Sequence, residues 1–291
     1  MSDNVKLEVF TKHSRSWGEF RYVYPVISRR SRGLSIGVNL NPDGACNFDC
    51  VYCCVDRTQP REVPPVDIEI LRGELREMLD AAVDGSIYSS PPFENVPSEL
   101  RRLNDIAFSG DGEPTASSVF FESVQLAAEE LHARALRDVK LVLITNATLL
   151  DRPRVIKTLE IFDQNDGEIW AKLDAGTDEY YHLIERTNIR LKRVLDNILV
   201  TGRKRPIVIQ SMFLRFEGQP PSDAEIKAYA TRLQMLLSQG CHIKSVHLYT
   251  VARSVADGRA TALSDAELDH IASRLAHLNF PVEKFYSPTT G

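Results

Sequence analysis

Cysteine is scarce in this chain. There are five in 291 residues, an odd number, which argues against the disulfide framework of a small secreted domain. Long apolar runs are missing as well: no stretch reaches the roughly 20 residues that a membrane span needs, and the opening MSDNVKLEVFTKHSRSWGEF has no signal-peptide core. A cytoplasmic protein with no membrane partner is the expectation. Positive charge is not in excess, since 35 Lys and Arg stand against 40 Asp and Glu for a formal net charge of −5. That balance is unlike the concentrated basic footprint of nonspecific nucleic-acid binding. The seven histidines include no HxH or HExxH arrangement, so a hydrolytic zinc site lacks its usual ligands.

What is present is a repeated alternation of apolar runs and helical patterns. Strands are expected at LSIGVNL (34–40), DIAFSG (105–110), VKLVLITN (139–146), EIWAKLDA (168–175), PIVIQSMFL (206–214) and KSVHLYTV (244–251). Nearly continuous apolar and β-branched character fits parallel strands covered on both faces. Helical periodicity occupies 68–82, 118–135, 152–162, 189–199, 223–240 and 264–278, the last opening on Ser264 with Glu267 three residues on, a capping-box pattern. Most strand offsets match one strand plus a crossover helix. The expected fold is therefore α/β, a partial (β/α)6 barrel with mostly parallel strands. Residues 1–33 read as an N-terminal extension, 34–252 as the barrel, and 253–291 as a C-terminal helix with a candidate short strand in PVEKFY. The Pro-, Ser- and Gly-rich 84–100 reads as a surface loop, either lid or inert insertion.

Three of the five thiols, Cys46, Cys50 and Cys53, fall within CNFDCVYC directly after the first core strand. The loop thus leaves the carboxyl end of the sheet, where α/β proteins assemble ligands. Three such thiols suit a tetrahedral zinc with a fourth group such as Cys54, Asp49 or Asp56, or three irons of a [4Fe-4S] cube with the fourth iron open. Later strand ends add GDGEPT, in which Gly110 and Gly112 allow close backbone approach to a ligand and Glu113 offers acceptors to a cationic amine. Gln210 and Ser211 interrupt an apolar strand and need a ligand or a neighbouring side chain as partner.

The CxxxCxxC spacing, with Tyr52 before the last cysteine and SGDGEPT on the second strand, resembles the radical S-adenosylmethionine (radical SAM) superfamily; Asp111 stands where many members have the first glycine of that motif. The resemblance implies that Cys46, Cys50 and Cys53 ligate three irons of one [4Fe-4S] cluster and that SAM chelates the fourth. It implies that the Gly110, Asp111, Gly112 and Glu113 segment receives the SAM amine, that Asn146, Lys172 and Asp174 face SAM, and that Val251 to Arg253 cradle adenine. The reduced cluster would pass one electron to SAM, and the resulting 5'-deoxyadenosyl radical would abstract hydrogen from a substrate. An electron donor such as flavodoxin or ferredoxin is then a partner.

Among subfamilies, GACNFDCVYCCVDR, GDGEPT and KLDAGTDEYYHLI are most similar to the wyosine-synthase-related Fe-S oxidoreductases, but the upstream cysteines of their second cluster are absent. A small-molecule substrate is favoured over a partner protein or tRNA. The competing class is a non-enzymatic zinc or redox-sensing module. Cys54 is read as a packing thiol with a substrate-facing role as alternative, Cys241 as structural, Met212 as core and His247 as a satisfied core histidine. The basic clusters SRRSRG (28–33) and RKR (203–205) read as solvated surface, with an anionic ligand as alternative.

Overall fold

The structure, a computed structural model, describes residues 17–58, 61–89 and 91–288. In chain order the strands are β1 (Val23–Ser28), β2 (Gly33–Val38), β3 (Leu103–Phe108), β4 (Lys140–Thr145), β5 (Glu168–Lys172), β6 (Ile207–Met212), β7 (Leu214–Phe216), β8 (Ile243–Tyr249), β9 (Ala260–Ala262) and β10 (Val282–Phe285). The helices are α1 (Ile68–Asp84), α2 (Phe120–Ala133), α3 (Pro153–Gln164), α4 (Asp178–Glu185), α5 (Leu191–Lys204), α6 (Asp223–Ser238) and α7 (Asp265–Ser273).

Eight strands form one sheet in the order β1-β2-β3-β4-β5-β6-β8-β10. Every neighbouring pair is parallel except β1 with β2, and the sheet curls into an open half-barrel, as the spacing of strands and helices predicts. All six expected strands are present. Two additions lie at its edges. Residues 23–28, inside the expected N-terminal extension, form the antiparallel edge strand β1, and PVEKFY supplies β10 beside β8. β7 and β9 make a separate antiparallel ribbon.

The two faces of the sheet differ in chemistry. On the outer face Ile36, Ile106, Leu143, Ile169, Ile209 and Val246 join helix residues such as Leu75, Val124, Leu159 and Leu233 in the main core, where burial of apolar surface contributes most of the folding free energy. The inner face holds a small apolar cluster of Ala107, Val142, Trp170 and Val208, with Ile144 packed against it, among polar side chains such as Ser35, Asp105, Lys172 and Gln210. Two helix starts are capped by side chains, the second as the sequence pattern predicts. Asp67 caps α1 by accepting from the Glu69 and Ile70 amides, and Ser264 with Glu267 forms the capping box of α7.

The 84–100 segment enters the amino end of β3, opposite the cysteine loop, and it buries Ile87, Phe93 and Val96. It is a packed connection, so a lid over the cysteine end is excluded by topology. RKR closes α5 with Arg205 paired to Asp163 and Arg203 donating to the Gln239 carbonyl, so these cations serve the scaffold.

Candidate functional site

A cavity of about 320 Å³ opens on the inner face, and Cys46, Cys50 and Cys53 line its end at the carboxyl termini of the strands. The loop that carries them is held by backbone bonds from several elements. Asp49 N donates to Glu185 O at 3.1 Å, Val51 N to Ile184 O at 2.9 Å, and Ala256 N to Cys53 O at 2.9 Å. Asn47 adds a side-chain anchor: its Nδ2 donates to Thr148 Oγ1 at 2.7 Å, and its Oδ1 accepts from Asn146 Nδ2 at 2.6 Å. Residues following β4, β5 and β8 thus fix a loop that follows β2.

The glycines of GDGEPT stand against this loop. A Cβ on Gly112 would fall 1.9 Å from the Ala45 carbonyl oxygen, and one on Gly110 would fall 2.2 Å from Asn39 Oδ1. The expected approach is of backbone to a ligand; the groups that stand against these glycines are this chain's own, the Ala45 carbonyl just before Cys46 and the Asn39 side chain after β2. Glu113 is the joint between β3 and β4. Its Oε1 accepts from Thr115 N at 3.1 Å, Thr115 Oγ1 at 2.5 Å and Thr145 Oγ1 at 2.7 Å, while Oε2 accepts from Asn146 N at 2.7 Å. Burial pushes its pKa above the usual carboxylate range, although all four bonds favour the anion.

Arg57 links the two motifs. Its Nη1 lies 2.9 Å from Cys53 Sγ, Nη2 donates to the Asp111 carbonyl at 2.6 Å, and Nε donates to the Gly44 carbonyl at 3.0 Å. On the other side, the Cys50 thiol donates to Glu185 Oε2 at 2.6 Å, and the Tyr52 hydroxyl bonds to Asp174. Asp174 also accepts from Met212 N at 2.7 Å and pairs with Lys172 Nζ at 3.0 Å. Burial opposes the charge on Lys172, yet Asp174 and the other acidic groups around it raise its pKa well above the usual value. Glu185 is pushed well above the usual carboxylate range by burial and by the Asp174 charge.

Most of the expected site residues meet in this cavity. Tyr52, Cys54, Gly110, Asp111, Gly112 and Glu113 line it, as do Asn146, Lys172, Gln210, Val251 and Arg253. Asp174 stands behind Tyr52 and Lys172. Ser211 points to the opposite face, where its hydroxyl bonds to the Leu173 carbonyl and the Tyr229 hydroxyl, both at 2.6 Å; strand alternation puts it outside while Gln210 faces in. His247 is buried as expected, yet its Nδ1 has no protein partner, and burial lowers its pKa to about 4. Met212 lines the cavity at the border of a small apolar cluster. Cys241 is buried beside Gly202, with its thiol directed to the Ile198 carbonyl. Sequence reasoning missed Arg57 and Glu185, while Arg30 lies in SRRSRG, read as solvated surface with an anionic ligand as the alternative. Arg57 sits inside the quoted cysteine run, whereas Glu185 carries no local signal of its burial.

Among the described residues, no three Cys, His, Asp or Glu side chains converge where one metal ion would sit. A four-iron cube takes each thiolate on a different iron, so its ligands need not converge on one point as those of tetrahedral zinc do. Burial raises the Cys46 thiol to about 11 and the Cys50 thiol well above its usual value; metal ligands must be deprotonated, so a metal bound here would displace these protons. The donor set fits such a cluster.

Comparison with known proteins bears on the family and the fold. The chain is 30% identical over 182 residues to a UPF0026 protein of Methanocaldococcus jannaschii, covering 60% of this chain and 46% of the relative, so it spans about half of that protein. A UPF0026 protein of Helicobacter pylori is 26% identical over 246 residues, covering 84% of this chain and 70% of the relative. The fold is similar to that of a radical SAM methyltransferase from Sphaerobacter thermophilus, with a TM-score of 0.60 at 14% identity over 92% of this chain and 70% of the other. A family profile described as the Radical SAM superfamily matches residues 40–217, from just before the cysteine loop through β7. The chain belongs to the Radical SAM superfamily.

Proposed function

We propose that this protein is a radical SAM enzyme in which Cys46, Cys50 and Cys53 hold one [4Fe-4S] cluster and SAM binds beside it. The barrel, expected to span 34–252, would be the catalytic unit. The observation that carries this reading is the meeting of three half-buried thiols with the Gly112–Glu113 segment and Asn146 at one end of a single cavity. When bound, the cluster and SAM supply a one-electron cleavage of a sulfonium carbon–sulfur bond, which yields a carbon radical able to take hydrogen from an unactivated C–H group.

The residues of this chain hold and shield the site. Arg57 fixes Cys53 against the Asp111 carbonyl. Glu113 locks the ends of β3 and β4 together, so that the Asn146 backbone has one position. Lys172, stacked 4.7 Å over the Tyr52 ring, keeps a buried positive charge beside the cavity. Val51, Tyr52, Ile184, Leu214 and Val251 form an apolar cluster that covers the cysteine loop, which limits access of water and oxygen to a radical.

Small-molecule turnover is the favoured use, with flavodoxin or ferredoxin as the class of electron donor. The likeness of GACNFDCVYCCVDR to wyosine-synthase-related proteins does not carry their tRNA substrate with it. Anaerobic reconstitution tests the reading. We expect about four irons and four sulfides per chain and release of 5'-deoxyadenosine from SAM on reduction with dithionite, both lost in Cys50→Ala. One zinc without sulfide, or unaltered SAM cleavage by Cys50→Ala, would overturn it.

A further inference from the structure

The hairpin turn between β1 and β2 brings arginines to the same cavity as the thiols. Arg29, Arg30 and Arg253 all line it. Arg29 serves the scaffold, because its Nη1 donates to the Tyr286 carbonyl at 2.6 Å beyond β10. With the Arg32–Glu283 pair at 3.6 Å, it laces the first edge of the sheet to the last. Arg30 is placed differently. Its guanidinium lies over the rings of Trp170 and Tyr249, 5.8 and 5.0 Å from their centroids, and among the described residues it forms no ion pair with a carboxylate. Like charges gathered around one cavity repel. Burial, Arg30 and Arg253 together lower Arg29 to about 10.

An independent observation lies on the inner face of the sheet. Gln210 is 0% exposed and lines the cavity, yet neither the nitrogen nor the oxygen of its amide has a protein partner. Asp105, 3% exposed, accepts from Ser35 through one oxygen, while its Oδ2 makes no hydrogen bond of ordinary geometry and has the Ser31 hydroxyl, also without such a bond, as its neighbour. Buried polar atoms are almost always satisfied, so these two point to a ligand that supplies the missing bonds. Asp105 lies in the amino half of β3 beside Ser35, whereas Gln210 lies nearer the carboxyl end of β6, in register with Lys172, the last residue of β5, and with His247.

We propose that this inner part of the cavity binds a small anion, a carboxylate or phosphate monoester that also bears hydroxyl or amide groups, with Arg30 and Arg253 on the anionic end and Gln210 and Asp105 on the uncharged polar groups. A planar guanidinium already oriented by aromatic stacking presents its fork to a carboxylate or phosphate with little further ordering. The whole cavity, thiol end included, has a volume of about 320 Å³, that of a small-molecule pocket and not of a polymer groove. The proposal deepens the function above and rests on it for turnover, but binding can be measured without turnover.

The test uses Trp170 emission. The chain has two tryptophans, and Trp17→Phe leaves Trp170, under Arg30, as the reporter. Reconstituted Trp17→Phe protein is titrated with inorganic phosphate, acetate and the neutral control acetamide at constant ionic strength. We expect saturable change with phosphate or acetate and none with acetamide; the tighter anion identifies the phosphate or carboxylate class. Arg30→Gln should weaken binding about tenfold, and Arg30→Lys less, since it keeps the charge but loses the fork. Arg253→Gln should also weaken it. The proposal falls if neither anion saturates, if all three arginine variants bind as well as the parent, or if saturating SAM abolishes anion binding, because the arginines would then hold the SAM carboxylate. Failure of SAM cleavage with intact, arginine-dependent anion binding would instead count against the radical chemistry alone.

Discussion

Arg57 places Nη1 2.9 Å from Cys53 Sγ while Nη2 donates to the carbonyl of Asp111 at 2.6 Å, so one guanidinium spans the cysteine loop and the glycine-rich turn. A cationic donor to a thiolate withdraws electron density and favours the reduced form of a cluster held there. Arg57→Gln is therefore expected to bind iron and sulfide but to lower the reduction potential by roughly 50–100 mV, the equivalent of one charge-assisted hydrogen bond. A redox titration followed by electron paramagnetic resonance checks this. An unchanged potential would limit Arg57 to fixing the backbone of the loop.

Glu113 carries a different expectation, because four donors already converge on its carboxylate. Glu113→Gln turns one acceptor oxygen into a donor that must face Thr145, Thr115 or the Asn146 amide. The cost should be about 1–3 kcal/mol, or roughly 2–10 °C in melting temperature for a chain of this size. The loss should appear in cluster-free protein as well. Weakened SAM affinity with no loss of stability would instead make Glu113 a direct cofactor contact.

The parts of this fold that were legible in the sequence are those whose signal is local. The six inner strands declare themselves by unbroken apolar runs, because helices cover one face and the barrel interior the other. The cysteine loop and GDGEPT are legible because their functional atoms lie within a few residues of each other. Strand β1 was not, since VYPVIS contains Pro25, which is tolerated in a sheet mainly at an edge. Helix α4, at eight residues, is too short to show a period. Glu185 escaped for another reason: its contact with Cys50 is distant in the chain, and for Arg30 in SRRSRG the choice between solvated surface and an anionic ligand turns on stacking with Trp170 and Tyr249, equally distant.

Glu168 gives a pH-dependent prediction. Burial alone would raise its pKa, but bonds from Lys140 at 2.7 Å, Lys244 at 2.8 Å and Trp170 Nε1 at 2.9 Å outweigh this and hold it at about 2. A folded value below the unfolded one stabilises the protein at pH above about 4.5, and the contribution is lost as pH falls toward about 2. Both lysines are partly exposed, so screening reduces the effect to roughly 1–2 kcal/mol. Glu168→Gln should be destabilised by that amount at pH 7, with the gap to the parent closing in acid. Denaturant unfolding at several pH values measures it, and a gap that stays constant from pH 7 to 3 would remove the ion pairs as its cause.

Cys54 follows Cys53 without a spacer, is exposed, and lines the same cavity as the three expected ligands. The ligand set is complete without it if SAM occupies the open iron, and adjacent side chains diverge, so Cys54 should not bind the cluster. Cys54→Ser is expected to keep iron, sulfide and basal SAM cleavage. Loss of about one iron, or conversion to a three-iron spectrum, in Cys54→Ser while Cys53→Ser keeps a complete cube would shift the ligand frame by one residue. Arg57 argues against that shift, because its guanidinium contacts the sulfur of Cys53. If basal cleavage survives but turnover of the true substrate is lost, Cys54 acts after the first radical has formed, as a donor of hydrogen or a proton to the product. Its place on the cavity wall makes that outcome sterically available, and substrate turnover by Cys54→Ser and Cys54→Ala separates it from a packing role, which alanine should preserve.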